Sequence, residues 1–123
     1  MRSAARTRVL IVEDDESTRW LLGMFLQKSF SDFDFFYADS AKAGVEFLGS
    51  ASVDLVVCDY NMNDGLGTEV LKHLRNIKSS TPFILYTSEE LQRIPHISYL
   101  RFSYIQKPEI DSLMLEIAHQ LRK

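Results

Sequence analysis

Acidic residues stand directly behind two short apolar runs of this 123-residue chain. Glu13, Asp14 and Asp15 follow the run at 9–12, and Asp59 follows the run at 55–58. Thr87 follows a third run at 83–86, and Lys107 follows Tyr104 to Gln106. Carboxylates gathered at one edge repel and raise one another's pKa unless a cation joins them. A hard divalent metal answers that need, since magnesium takes one or two carboxylates together with water and phosphate oxygens. The same ion suits phosphoryl transfer, where it offsets charge on the equatorial oxygens. A carboxylate can then attack phosphorus and form an acyl phosphate. On this chemistry Asp59 is the candidate nucleophile. Lys107 is a fixed positive charge for one phosphoryl oxygen, and Thr87 a hydroxyl donor for another.

Such residues meet only if the elements before them lie side by side. The runs at 9–12, 35–38, 55–58 and 83–86 are short, continuous and apolar, as fully buried strands are, and Tyr104 to Gln106 reads as a fifth short strand stopped by Pro108. Between them come helical spacings. Leu21, Leu22, Phe25 and Leu26 mark a helix over 18–28. Ser40 is an N-cap for a helix reaching about Leu48, with Val45 and Leu48 inward. Leu66, Val70, Leu71, Leu74 and Ile77 share one side of a helix over 66–77. The last helix, with Ile110, Leu113, Met114, Ile117, Ala118 and Leu121, is the most regular. Residues 89–100 begin like a helix, but Pro95 interrupts them. Five strands alternating with helices predict a parallel sheet covered on both faces. The expected fold is a flavodoxin-like α/β three-layer sandwich with strand order 2-1-3-4-5 and a short or distorted fourth helix. Ligands of such sheets sit beyond the carboxyl ends of the strands, where the candidate residues lie.

The composition fits one such domain. Hydrophobic residues make up 46% and charged residues 25%, enough for a core without staples. A net charge of −3 argues against a nucleic-acid surface. No apolar run approaches a membrane span. The single cysteine, Cys58, excludes a disulfide framework and reads as a small core residue of a reducing compartment. Residues 1–7 read as a tail and residues 8–123 as the domain.

The stretch VLIVEDDESTRWLL resembles the opening of bacterial response-regulator receiver domains. VDLVVCDYNMNDGLGTEVLKHLR resembles their phosphorylation segment, FILYTS their fourth strand and YIQKP their fifth. The resemblance runs from about Arg8 to Gln120 and implies a cytoplasmic switch of a two-component phosphorelay. It implies that a histidine kinase or phosphotransfer protein phosphorylates Asp59, with magnesium or manganese as cofactor. It implies that Asp14 and Asp59 hold the metal, with the Asn61 main-chain carbonyl, while Glu13 acts through water. The register within Glu13-Asp14-Asp15 stays open. Thr87 and Lys107 resemble the switch hydroxyl and the phosphate-binding lysine, and Tyr104 the aromatic that moves on activation. Asn61 and Glu89 occupy positions that time the loss of the phosphoryl group, and their pairing resembles the fast-resetting chemotaxis type. The Lys107–Pro108 bond is expected to be cis. Acyl-phosphate formation and hydrolysis on the domain itself describe a self-modifying switch more than a turnover enzyme. The output is a downstream protein target or an output domain of a longer chain.

The chain also departs from that family. Asn63 stands where proline is usual, and Gly65-Leu66-Gly67 replaces the common Met-Asp-Gly turn, with Gly67 retained at the turn position so that the loop is expected to close. Between Glu90 and Ser103 there is Pro95, no glycine, and an apolar run with Ile94, Ile97, Tyr99, Leu100 and Phe102. These apolar residues read equally as core under a distorted helix or as a partner surface. Plainer readings stand beside the sharp ones. Glu13, Asp14 and Asp15 could be a solvated helix start, which the helix dipole favours. Trp20 reads as helix packing or a surface anchor, and His73, His96 and His119 as filler. Two other functions compete. A degenerate receiver would serve only as an interaction module. A haloacid-dehalogenase-like phosphatase would use Asp14 to Thr18, which read D-D-E-S-T.

Overall fold

The computed structural model describes residues 6–77, 79–95 and 100–121. Part of the expected tail (1–5), His96, Ile97 and Tyr99 fall outside these residues. In chain order the elements are strand β1 (Thr7–Val12), helix α1 (Glu16–Ser29), β2 (Phe33–Ala38), α2 (Ala41–Ser50) and β3 (Leu55–Cys58). There follow β4 (Asn61–Met62), β5 (Gly65–Leu66), α3 (Gly67–Asn76), β6 (Phe83–Thr87), a 3-10 turn (Leu91–Arg93), β7 (Ser103–Gln106) and α4 (Ile110–Leu121).

Five strands form one parallel sheet in the order β2-β1-β3-β6-β7. This is the expected 2-1-3-4-5 arrangement once the small antiparallel pair β4–β5 is set aside. Alternating side chains feed two cores, as the strand period of two requires. Leu10, Val12, Val56, Cys58, Phe83 and Leu85 pack with α2 and α3 residues. Val9, Ile11, Leu55, Val57, Ile84 and Tyr86 pack with Leu22 and Leu26 of α1 and Leu113 and Ile117 of α4. Both faces of the sheet are covered, so β3, β6 and the second half of β1 are continuously buried rather than alternating.

Several expectations need correction. Thr7, assigned to the tail, opens β1. Leu21 and Phe25 share the helix but are 48% and 43% exposed, because α1 buries only the stripe of Leu22 and Leu26. Ile77 lies past the end of α3 and is exposed. Trp20 is 64% exposed, which removes the helix-packing reading. The β4–β5 hairpin is too short to leave a periodic signal.

The fourth helix is reduced to a single 3-10 turn among the described residues. Ile94, preceding Pro95, is extended at φ −92 and ψ 122, as the proline ring demands of its neighbour. Ile94 and Leu100 are both buried in the core beside α2 and α3, with Phe102 and Tyr104 packed against it. For these residues the core reading holds.

Candidate functional site

The sheet register brings the candidate residues together. Val12 pairs with Cys58, so Glu13 and Asp59 leave neighbouring strands at the same level. The Asp59 N–H donates to the Val12 carbonyl at 3.0 Å. Thr87 pairs with Gln106, so Lys107 emerges beside Thr87 and donates its N–H to the Thr87 carbonyl at 2.9 Å. One carboxylate oxygen from each of Glu13, Asp14 and Asp59 lies within 4.8 Å of the others.

Lys107 Nζ bridges two of these acids, at 2.8 Å from Glu13 Oε1 and 2.9 Å from Asp59 Oδ2. Glu13 is 2% exposed and Asp59 8%. Burial pushes the Glu13 carboxyl above its ordinary value, against the lowering effect of the Lys107 hydrogen bond. Burial also opposes charge on Lys107, yet its hydrogen bonds to Glu13 and Asp59 together outweigh that and hold the ammonium above its ordinary value. Asp59 Oδ1 accepts the Tyr60 N–H at 2.6 Å. Asp14 Oδ2 accepts the Asn63 N–H at 2.9 Å.

Asp15 is placed apart from this cluster. It caps α1, accepting from the Thr18 N–H at 2.8 Å and the Thr18 hydroxyl at 2.7 Å. Those two bonds hold its carboxyl below the usual range. Glu16 is the first residue of α1 and is exposed, so D-D-E-S-T runs into a helix.

A second set adjoins the first. Asn61 Nδ2 donates to Glu89 Oε1 at 3.1 Å. The Glu89 N–H donates to Thr87 Oγ1 at 3.2 Å, and the Tyr104 hydroxyl donates to the Glu89 carbonyl. Thr87 is 1% exposed. Glu89 thus touches three of the expected site residues. The Lys107–Pro108 bond is cis, as expected. Cys58 is fully buried, and burial drives its thiol pKa well up, so it remains a neutral core group.

Two supports were not foreseen from the sequence. Arg19 Nη1 donates to the Glu13 carbonyl at 2.8 Å, holding the acid turn from α1. Asp64 accepts the Ala41 and Lys42 N–H groups, each at 2.9 Å, and so caps α2 from the β4–β5 turn. Neither leaves a trace in local spacing, because the partner of each is remote or a main-chain atom. Gly67 closes the loop as expected. A Cβ there would collide with the Asp59 main-chain carbonyl, and the Gly67 N–H donates to the Tyr60 carbonyl at 2.7 Å.

This acid-and-lysine rim at the ends of a 2-1-3-4-5 sheet goes with a family match. The family model for the response regulator receiver domain matches residues 9–118. The chain belongs to the response-regulator receiver family. It is a receiver domain of the two-component system with a flavodoxin-like fold, and the competing readings find no support. It is 29% identical over 120 residues to the response regulator ArlR of Staphylococcus saprophyticus, covering 95% of this chain and 53% of that protein. The receiver thus spans about half the length of that relative. The response regulator TrrA of Thermotoga maritima, solved in complex with Mg2+–BeF, is 27% identical with a TM-score of 0.83. That match covers 94% of this chain and 99% of TrrA. TrrA has also been solved in complex with the histidine kinase ThkA, where it is 26% identical to this receiver with a TM-score of 0.82 over the same shares of both chains. Among the described residues no helix is long and apolar enough to cross a membrane.

Proposed function

We propose that Asp59 accepts a phosphoryl group from a phosphohistidine of a sensor kinase or phosphotransfer protein, switching a protein-interaction surface of this receiver. The observation that carries this reading is the placement of the Asp59 carboxylate. It is nearly buried, held on one oxygen by the Tyr60 N–H and on the other by Lys107, and ringed by two more acids. An Asp59 oxygen forms the new bond to phosphorus as the phosphorus–nitrogen bond of the donor breaks. The imidazole leaves with the electron pair, and water later returns the phosphoryl group as phosphate. Lys107 then exchanges its contact with Asp59 Oδ2 for a phosphoryl oxygen, and the Thr87 hydroxyl meets another.

The donor set fits a hard divalent ion. All three cluster groups are carboxylate oxygens, the ligand type that magnesium or manganese takes. Asp14, Asp59 and the Asn61 main-chain carbonyl would hold the ion, with Glu13 reached through water. When bound, the ion supplies charge neutralisation for the transferring oxygens. The contact between Asn61 and Glu89 at 3.1 Å supports a reading in which this pair orients the attacking water and keeps the phosphorylated state short-lived. The domain, residues 8–123, modifies and resets itself and so acts as a switch. A cytoplasmic setting with a downstream protein target or an output domain follows from that role.

The test is beryllofluoride with magnesium, followed by amide chemical shifts. Shifts centred on Asp59, Thr87 and Lys107, abolished in Asp59→Asn, are expected. No response in the wild-type protein overturns the proposal. After phosphorylation and donor removal, survival of the phosphoryl group for hours overturns the short lifetime.

A further inference from the structure

The three clustered acids are not held alike. Glu13 and Asp59 each have Lys107 and a main-chain donor, from Asp15 and Tyr60 respectively. Asp14 has no cation partner among the described residues. Its one hydrogen bond there is the Asn63 main-chain N–H, 2.9 Å from Oδ2. Repulsion from Glu13 and Asp59 favours turning this half-exposed side chain out toward solvent. The Asn63 N–H opposes that. It engages Oδ2 and so holds the carboxylate at the cluster, where one of its oxygens lies within 4.8 Å of an oxygen of each neighbour.

We propose that Asn63 is a positioning residue, acting through its main-chain N–H to fix the Asp14 carboxylate for a divalent cation. The proposal rests on the metal reading of the cluster given above. The Asn63 side chain makes no hydrogen bond among the described residues, so the backbone donor is what matters. Proline, the residue common at this position in the resemblance noted earlier, has no such donor. This chain therefore carries a support for Asp14 that a proline at 63 cannot supply. The turn bearing the N–H is itself anchored, since the adjoining Asp64 grips the start of α2 through two main-chain donors. Hydrogen-bonded partners of metal ligands set their orientation and change metal affinity by about ten- to a hundredfold.

The experiment compares Asn63→Pro with Asn63→Ala by titrating metal-free protein with magnesium, with no phosphodonor present. Asn63→Ala keeps the N–H and is expected to bind like wild type. Asn63→Pro is expected to bind about tenfold more weakly. Wild-type affinity in Asn63→Pro overturns the proposal. Hydrogen exchange of the Asn63 amide is the second measurement and does not depend on whether the proline variant folds. Protection in metal-free wild type that is lost in Asp14→Ala supports the contact, and equal exchange in both overturns it. Absence of magnesium binding in wild type itself would overturn the metal reading, and the exchange result would still report on the contact.

Discussion

The ends of β1, β3 and β7 and the connection from β6 to β7 are ordered by opposite means. At the strand ends each of the three clustered acids has a named donor, and each donor has a fixed origin on a strand end or tight turn. Among the described residues the connection has one 3-10 turn and buries Ile94 and Leu100. Polar ties among the described residues include the Tyr104 hydroxyl on the Glu89 carbonyl, Asn61 Nδ2 on Glu89 Oε1 at 3.1 Å and Arg75 Nη2 on the Arg101 carbonyl at 2.8 Å. Charge and hydrogen bonding define positions to within a bond length. Apolar burial defines only a volume to be filled. The first region accordingly tolerates few residue types, whereas the second needs only bulk at two places.

Truncating an anchor of the connection should have the largest effect on stability. Leu100→Ala leaves a cavity in the core beside α2 and α3 and should cost about 3 kcal/mol by urea unfolding. Phosphoryl uptake by the folded fraction should be unchanged, which would show the two regions to be separable. Lys107→Ala should produce the reverse pattern. It leaves the buried Glu13 and Asp59 without their cation and should cost about 2 kcal/mol in metal-free protein, less than a fully buried pair because Lys107 is partly exposed. Uptake of the phosphoryl group should be lost, and magnesium should restore part of the stability. A larger loss of stability from Lys107→Ala than from Leu100→Ala would show that charge, not burial, sets the stability of this domain.

The smallest effect should come from Asp64→Asn at the α2 start. The Lys42 and Ala41 N–H groups hold the Asp64 carboxyl below its ordinary 3.8. A depressed carboxyl stabilises the fold above pH 3.8 and loses that contribution as pH falls through its native value. The variant should therefore melt slightly below wild type at neutral pH, and the two curves should converge in acid. A constant gap across that range would mean that the contact works through shape and not through charge.

The sheet was legible because its central strands are buried on both faces and so read as unbroken apolar runs, while the half-buried edge strands keep a shorter apolar stretch. The ends of β3 and α4 match their expected limits, since Asp59 and Pro108 interrupt the apolar pattern there. The hairpin at 61–66 was invisible because two-residue strands have no period. The strand-end acids were legible as a group, but not their division of labour. Nothing in Glu13-Asp14-Asp15 says that Asp15 turns to Thr18 while Asp14 turns to a turn far along the chain. The connection was legible in negative form, since Pro95 forbids a regular helix. Which apolar residues would be swallowed in its place depended on the space left by α2 and α3.

The capped helix starts carry one last consequence, which concerns selectivity among anions. Helices α1, α2 and α3 all begin at the sheet edge that bears the acids, an edge where open N–H groups would attract any small anion. Here the carboxylates of Asp15, Asp64 and Glu69 already occupy main-chain donors at Thr18, at Ala41 and Lys42, and at Leu66. Chloride or sulfate in the medium finds those donors taken. An anion gains a foothold at this edge by displacing a contact of Lys107 or by arriving with a cation of its own, so background salt is a poor competitor for the site.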